Sequence, residues 1–363
     1  MMAGHTRRIA ARAFAVAMAT ATIAGTTHAA EMSPAMKSLV AAAQKEGEIV
    51  LTFGEGAVGG VEGARKIEAK LNQVFGTKIK VTYTPGPSMP AMASQIAMLQ
   101  AAKQPSPTDV YVGWSRHMPS LHKRKALLAV DWKALLPGRV DDRIVEFDGT
   151  MVKIVTSIPG VFYNTKLAPF RPERMTDFLK PEWKGKIAST TYSANFDVLA
   201  GPGMWGPEKA IDYAKKLSGQ ITGLLRCNES ERISSGEFLA MVPNCAGRDV
   251  EDQIKKGAPI ANLTPHDFLV KNYTYLAVPK NAMHPSAGTL FIAFILTPEG
   301  QSILWDTWGS DLDLFPETNL HAEVARIEAN YGEKLMTADA TWQLGNDSGN
   351  QAWSEINKIL STR

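Results

Sequence analysis

The strongest constraint in this sequence is an alternation: short β-prone runs are separated, again and again, by segments with helical periodicity. Glu48-Ile49-Val50-Leu51-Thr52-Phe53 reads as a buried strand, followed by a glycine-rich turn over residues 54–60. Ala64, Ile67, Leu71, Val74 and Phe75 then recur at helical spacing. Residues 78–83 form the next expected strand. A proline-rich loop, 84–90, leads into a helix ending near Ala102, and residues 109–114 form a third strand. A second series starts near residue 150, with strands expected at 151–163 (interrupted by Pro159-Gly160), 186–190, 221–227, 238–242 and 273–278. Helices are expected near Asn195 and at 208–217, 230–237, 286–296, 299–308, 322–331 and 351–360. Thr297-Pro298 ends one helix and starts the next, with Thr as N-cap and Pro at the first helical position. Such alternation predicts an α/β protein whose sheets are mostly parallel and covered on both faces. A length of 363 residues suits two such units at roughly 150 residues each.

The first 29 residues belong to a different class of segment. Arg7, Arg8 and Arg12 precede the apolar run Ala13-Phe14-Ala15-Val16-Ala17-Met18-Ala19, and Thr27-His28-Ala29 supplies a small-x-Ala cleavage site. The uncharged stretch from Ala13 to Thr27 spans 15 residues, short of the ~20 needed to cross a bilayer. A cleavable export signal over residues 1–29 is therefore expected, with a soluble, exported mature chain. The signal also accounts for the charge. The whole chain carries a formal +3, and removing three arginines with no acid among them leaves a net charge of zero. No global basic field remains for a nucleic-acid partner.

Export changes the meaning of the cysteines. The sequence has 2, Cys227 and Cys245, which excludes a disulfide-dense scaffold and a multi-cysteine metal site. In an oxidising compartment they are candidates for one disulfide, the alternative being two buried thiols. Gly54-Glu55-Gly56-Ala57-Val58-Gly59 matches G-x-G-x-x-G between a strand and a helix. The dinucleotide fingerprint also needs an acid about 20 positions on, where Thr82-Tyr83-Thr84 stands. What survives is a small anion or polar-group cradle at a helix start. There is no H-E-x-x-H, no G-x-S-x-G and no Walker loop. No catalytic set and no cofactor are predicted, although a secreted hydrolase stays among the alternatives.

Three segments carry a family resemblance. Val161-Phe162-Tyr163-Asn164-Thr165-Lys166-Leu167 resembles the interdomain strand of bacterial periplasmic solute-binding proteins. Pro181-Glu182-Trp183-Lys184-Gly185-Lys186-Ile187 is similar to a segment that follows soon after in the same proteins. His284-Pro285, Leu290-Phe291-Ile292-Ala293-Phe294 and Pro298-Glu299-Gly300-Gln301 resemble their late paired helices. The resemblance covers nearly the whole mature chain and points to the branch that includes the ferric-iron-binding proteins. It implies a type II periplasmic-binding fold, α/β in two lobes around a cleft, serving an inner-membrane ABC permease from the periplasm as a monomer. The expected division is residues 30–155 plus 282–363 for one lobe and 156–281 for the other.

The ferric members of that family use neighbouring tyrosines. Here no Tyr-Tyr doublet exists, and residues 244–249 read Asn-Cys-Ala-Gly-Arg-Asp. An anionic organic or oxyanionic solute is expected instead, with ferric iron and a periplasmic sensing role as alternatives. Strand-end loops supply the candidate ligand-binding residues: Gly54, Glu55 and Gly56; Ser88; Trp114, Ser115 and Arg116; Tyr192, Ser193 and Asn195; Arg226 and Asn228; Arg248 and Asp249. Ser193 is the expected cap of the helix near Asn195. At least one of Arg116, Arg226 and Arg248 is expected to hold an acidic group through its planar fork, with Trp114 and Tyr192 as an apolar wall.

Overall fold

The computed structural model describes Met1, residues 32–54 and residues 56–361, apart from the side chains of Asp249 and Asp252. The expected signal segment and Glu55 lie outside the described residues. In the first strand, β1 (Glu48–Phe53), burial alternates so that Ile49, Leu51 and Phe53 face inward. β1 pairs in parallel with β2 (Lys80–Pro85). The backbone N–H of Val50 donates to Asp109 Oδ2 at 2.7 Å and that of Thr52 to Thr108 Oγ1 at 3.1 Å. These side-chain bonds attach β1 to the segment leading into β3 (Tyr111–Trp114). β4 (Val145–Glu146) pairs with β5 (Met151–Ser157), which is buried at every position. The helix Gly60–Phe75 covers this lobe with Ala64, Ile67, Leu71 and Phe75, as the periodicity predicts, whereas Val74 is exposed. Thr297 Oγ1 accepts from Gly300 N at 3.1 Å, so one helix, Pro285–Ile295, ends and Pro298–Trp308 begins at a bend of 81°. Among the described residues no single helix is long and apolar enough to cross a membrane.

The second lobe holds β6 (Val161–Asn164), β7 (Ile187–Thr190), β8 (Ile221–Leu225), β9 (Ala240–Met241) and β10 (Ile260–Leu263). Among the described residues their order is β10-β6-β9-β7-β8. β8, β7 and β9 run parallel, whereas β6 and β10 join antiparallel. Trp183 is fully buried, its ring 4.9 Å from Phe178 and 5.7 Å from Phe170. Burying an aromatic of this size contributes ~1.5–3 kcal/mol. The motif residue Trp183 is thus a packing element of its lobe.

β11 (Val270–Ala277) joins the two lobes: Val270 packs in the second core and Tyr273, Tyr275, Leu276 and Ala277 in the first. It pairs antiparallel with β3 and β5, and in parallel with β12 (Met336–Ala338). The other strand crossing is the β5-to-β6 link through Ile158, Pro159 and Gly160. A side chain at Gly160 would stand 2.0 Å from the Leu263 carbonyl oxygen, so this crossing passes the end of β10 only because the residue lacks one. Ile158 and Leu269, one from each crossing, pack with Val324, Ile327 and Leu335, from the helix Asn319–Tyr331 and the segment after it.

Two expectations are corrected. The sheets are mixed rather than mostly parallel, because β11 returns through the first lobe's sheet against the direction of β3 and β5. Residues 282–363 also do not stay with the first lobe. The helix Asp347–Ser361 buries Ala352, Ile356 and Leu360 in the second core, against the helices Pro207–Ser218 and Phe196–Leu199. Its apolar face completes the layer those helices leave open.

Candidate functional site

A cavity of ≈ 540 Å³ opens where the ends of β2 and β3 in one lobe face the loop after β7 in the other. The first wall is made by Ser88, Met89 and Pro90, at the start of the helix Met89–Ala101, and by the turn from Trp114 to His117. Ser115 fixes that turn to the crossing strand: its hydroxyl accepts from Tyr273 N and donates to Tyr273 O, each at 3.2 Å. Trp114 carries a buried indole N–H with no hydrogen-bond partner. A buried unpaired donor costs ~1–3 kcal/mol, and this one stands in the cavity wall.

Arg116 is the cation of the site. Its guanidinium lies 3.6 Å from the ring centroid of Trp353, a stacking contact between the first lobe and the C-terminal helix. It makes no hydrogen bond and no ion pair among the described residues. Burial pushes its pKa below the ordinary value, against the opposing charge of Asp197. The adjacent His117 is held down to about 4, first by burial and then by the Arg116 charge, so its imidazole is neutral at pH 7.

The opposite wall comprises Tyr192, Ala194, Asn195, Asp197 and Val198. Ser193 and Asn195 both have left-handed backbone, with φ of 51° and 62°, a conformation that costs side-chain-bearing residues ~1–3 kcal/mol and persists only where surroundings enforce it. The enforcement is visible. Asn195 Nδ2 donates to the Asn244 carbonyl at 2.9 Å, Ser193 Oγ to Asn357 Oδ1 at 3.1 Å, and Trp353 Nε1 to the Ser193 carbonyl at 3.0 Å. Ser193 therefore does not cap the helix as expected. That helix, Phe196–Leu199, is four residues long with Asn195 at its start. Asp197 is 5% exposed, and its Oδ2 accepts from Gln343 Nε2 at 3.0 Å.

Behind this wall Cys227 and Cys245 form a disulfide, with Cα atoms 5.7 Å apart. It ties the chain after β8 to the chain after β9. The Tyr192 hydroxyl lies against both sulfurs, so the bridge backs the aromatic side chain that faces the cavity.

Of the residues expected from sequence, the cavity brings together Ser88, Trp114, Ser115, Arg116, Tyr192 and Asn195, with Ser193 buried in the same loop. Others stand elsewhere. Gly54 accepts from the Tyr83 hydroxyl at 3.0 Å, and neither it nor Gly56 lines the cavity; the turn closes on its own strand layer instead of cradling a ligand there. Arg226 and Asn228 are exposed, because β8 is the edge strand and its end points past the cleft. Arg248 donates to Ser157 Oγ at 3.2 Å and stacks 4.8 Å from Trp308. With Asp249 it sits on the turn Gly247–Val250, near the crossing segments and away from this cavity. Sequence reasoning missed Met89, Pro90, His117, Asp197, Val198, Asn272, Gln343 and Trp353. Asp197 lay two positions beyond a chosen residue and was recoverable; Gln343 and Trp353 carried no local signal.

Comparisons with known proteins agree with this architecture. A family model described as bacterial extracellular solute-binding protein matches residues 66–329. One curated relative, an uncharacterized protein of Haemophilus influenzae (strain ATCC 51907 / DSM 11121 / KW20 / Rd), is 21% identical over 166 residues, or 44% of this chain; the match spans about half (47%) of that relative's length. Among solved structures, the periplasmic binding protein AfuA from Actinobacillus pleuropneumoniae, with fructose-6-phosphate bound, superposes with a TM-score of 0.67 at 18% identity, covering 87% of this chain and 99% of that one. Iron-bound HitA from Pseudomonas aeruginosa gives 0.64 at 18% identity, covering 86% and 99%. AgtB from A. tumefaciens R10, in complex with agropinic acid, gives 0.61 at 16% identity, covering 86% and 98%. These likenesses show the periplasmic-binding-protein fold.

Proposed function

The chain belongs to the bacterial extracellular solute-binding proteins, and we propose that it captures a small organic solute bearing an acidic group between its lobes. In this reading it works in the periplasm as a monomer and passes the solute unaltered to an inner-membrane ABC permease. The observation that carries the reading is Arg116: a cation in the cavity wall, stacked on Trp353, with no hydrogen-bond or ion-pair partner of its own among the described residues. A planar fork held in place by an aromatic ring is already oriented for a carboxylate or phosphate. Because the two walls belong to different lobes, a ligand touches both only when they are close, and binding favours the closed population. AfuA and AgtB, the neighbours with a sugar phosphate and an organic acid bound, fit this class. HitA favours iron as cargo. In this cavity, however, Tyr192 is engaged with the disulfide and Arg116 opposes a bound cation.

The test is calorimetric titration of the mature protein with fructose-6-phosphate, simple carboxylates and ferric iron, repeated with Arg116→Ala and Arg116→Lys. Charge-assisted hydrogen bonds contribute ~1.5–3 kcal/mol, so Arg116→Ala should weaken an acidic solute ~10–100-fold, with partial recovery in the Lys variant. Tight ferric binding without any acidic solute, or acidic-solute affinity indifferent to Arg116, would sink the reading.

A further inference from the structure

Arg116 is not the cavity's sole charge. Asp197 reaches the same space from the opposite lobe, 5% exposed, with one side-chain hydrogen bond, from Gln343 at 3.0 Å. Neither group ion-pairs with the other or with any other side chain among the described residues. A carboxylate taken this far out of water is costly unless it is paired. A purely anionic ligand drawn to Arg116 would make matters worse, because it would place a second negative charge in the same desolvated space. His117, neutral at pH 7, supplies no compensating charge. The rest of the wall is largely apolar: Met89, Pro90, Ala194, Val198 and the faces of Trp114 and Trp353.

From these positions we infer that the solute is zwitterionic: its acidic group pairs with Arg116, a cationic nitrogen pairs with Asp197, and an apolar body fills the space between. This rests on the solute-binding reading above and narrows it. The bridge also gives closure a reason, since Arg116 and Asp197 act on each other only through space and each gains a direct partner when a ligand carries the complementary pole across the cleft. The space of ≈ 540 Å³ admits molecules larger than a single amino acid, within the usual range for small-molecule sites.

The test uses matched probes that share one body and differ in charge: phenylalanine, 3-phenylpropanoate and phenethylamine, and the dipeptide Leu-Phe beside its N-acetyl and C-terminal amide forms. Binding to the wild-type protein is read by calorimetry. At least one zwitterion should bind ten-fold or more tightly than both of its singly charged partners. Asp197→Asn, which keeps the shape and the Gln343 contact, should remove that preference, weakening the zwitterion ~10–100-fold while leaving its deaminated or acetylated partner unchanged or tighter. The wild-type ratio needs no variant, so misfolding of Asp197→Asn would not obscure it. Equal or better binding of the purely acidic partners, or binding of fructose-6-phosphate with no zwitterion bound, overturns this inference and leaves the solute-binding reading standing. Failure of every probe, fructose-6-phosphate and ferric iron included, counts against both.

Discussion

Opening the Cys227–Cys245 bridge tests whether the cleft wall depends on covalent support. The two cysteines are 18 positions apart. A cross-link closing a loop of that size removes about 10–11 cal/mol/K of chain entropy from the unfolded state, or ~3 kcal/mol at 25 °C. Native strain and residual unfolded structure would reduce this, so ~2–3 kcal/mol is the expected loss when both residues become serine. The loss should appear as a lower denaturation midpoint in urea with an equal or steeper slope, since an unfolded chain freed of the cross-link is less compact and exposes at least as much surface. The effect should extend to function, because the Tyr192 hydroxyl lies against both sulfurs. Without the bridge, the segments after β8 and β9 separate more freely and Tyr192 loses its backing. Solute affinity should then fall, though less than on loss of Arg116. The assay pairs urea denaturation with calorimetry, on oxidised, reduced and double-serine protein. Two free thiols in the native exported protein, or a stability change below ~0.5 kcal/mol, would refute the reasoning.

Two further predictions concern the scaffold. His117 has a pKa near 4 in the folded protein against ~6.5 unfolded, so between those values the unfolded chain binds more protons. Its contribution is therefore complete above pH 6.5 and is lost as pH falls toward 4, on the order of 1–3 kcal/mol after allowing for its partial exposure. In His117→Gln the stability-versus-pH slope over that window should flatten; an unchanged slope would exclude His117 as its source. Gly300→Ala would place a methyl 2.2 Å from the Phe294 carbonyl oxygen and 2.6 Å from Ile295 Cα, forcing the bend between the paired helices open. A cost of ~1–3 kcal/mol is expected, measured by chemical denaturation, and a loss under ~0.5 kcal/mol would show that the bend absorbs the methyl.

Much of the architecture was legible because strand and helix periodicities differ so sharply. The helix Gly60–Phe75 and the Thr297 cap form as the residue pattern predicts. The short strands β10 and β12, of four and three residues, escaped notice. At the site, Ser88, Trp114 and Tyr192 were legible because cleft residues of α/β sheets follow strand ends. Arg116, Arg226 and Arg248 were indistinguishable by the same rule. Each follows a strand, and only burial separates a cation in the cleft from one on the surface or beside the crossing segments.

The sequence alone determined the α/β class, the Thr297 helix cap and the family. All of these are written in local pattern, composition or contiguous motif. The cavity's charges and its far wall were decided by tertiary structure. Amphipathicity states that the helix Asp347–Ser361 must bury a face, but not in which lobe. Its docking on the second core is what brings Trp353 to Arg116, 237 positions away along the chain. Long-range packing chooses among faces that local physics leaves equivalent, and the pairing of Arg116 with Trp353 follows from that choice.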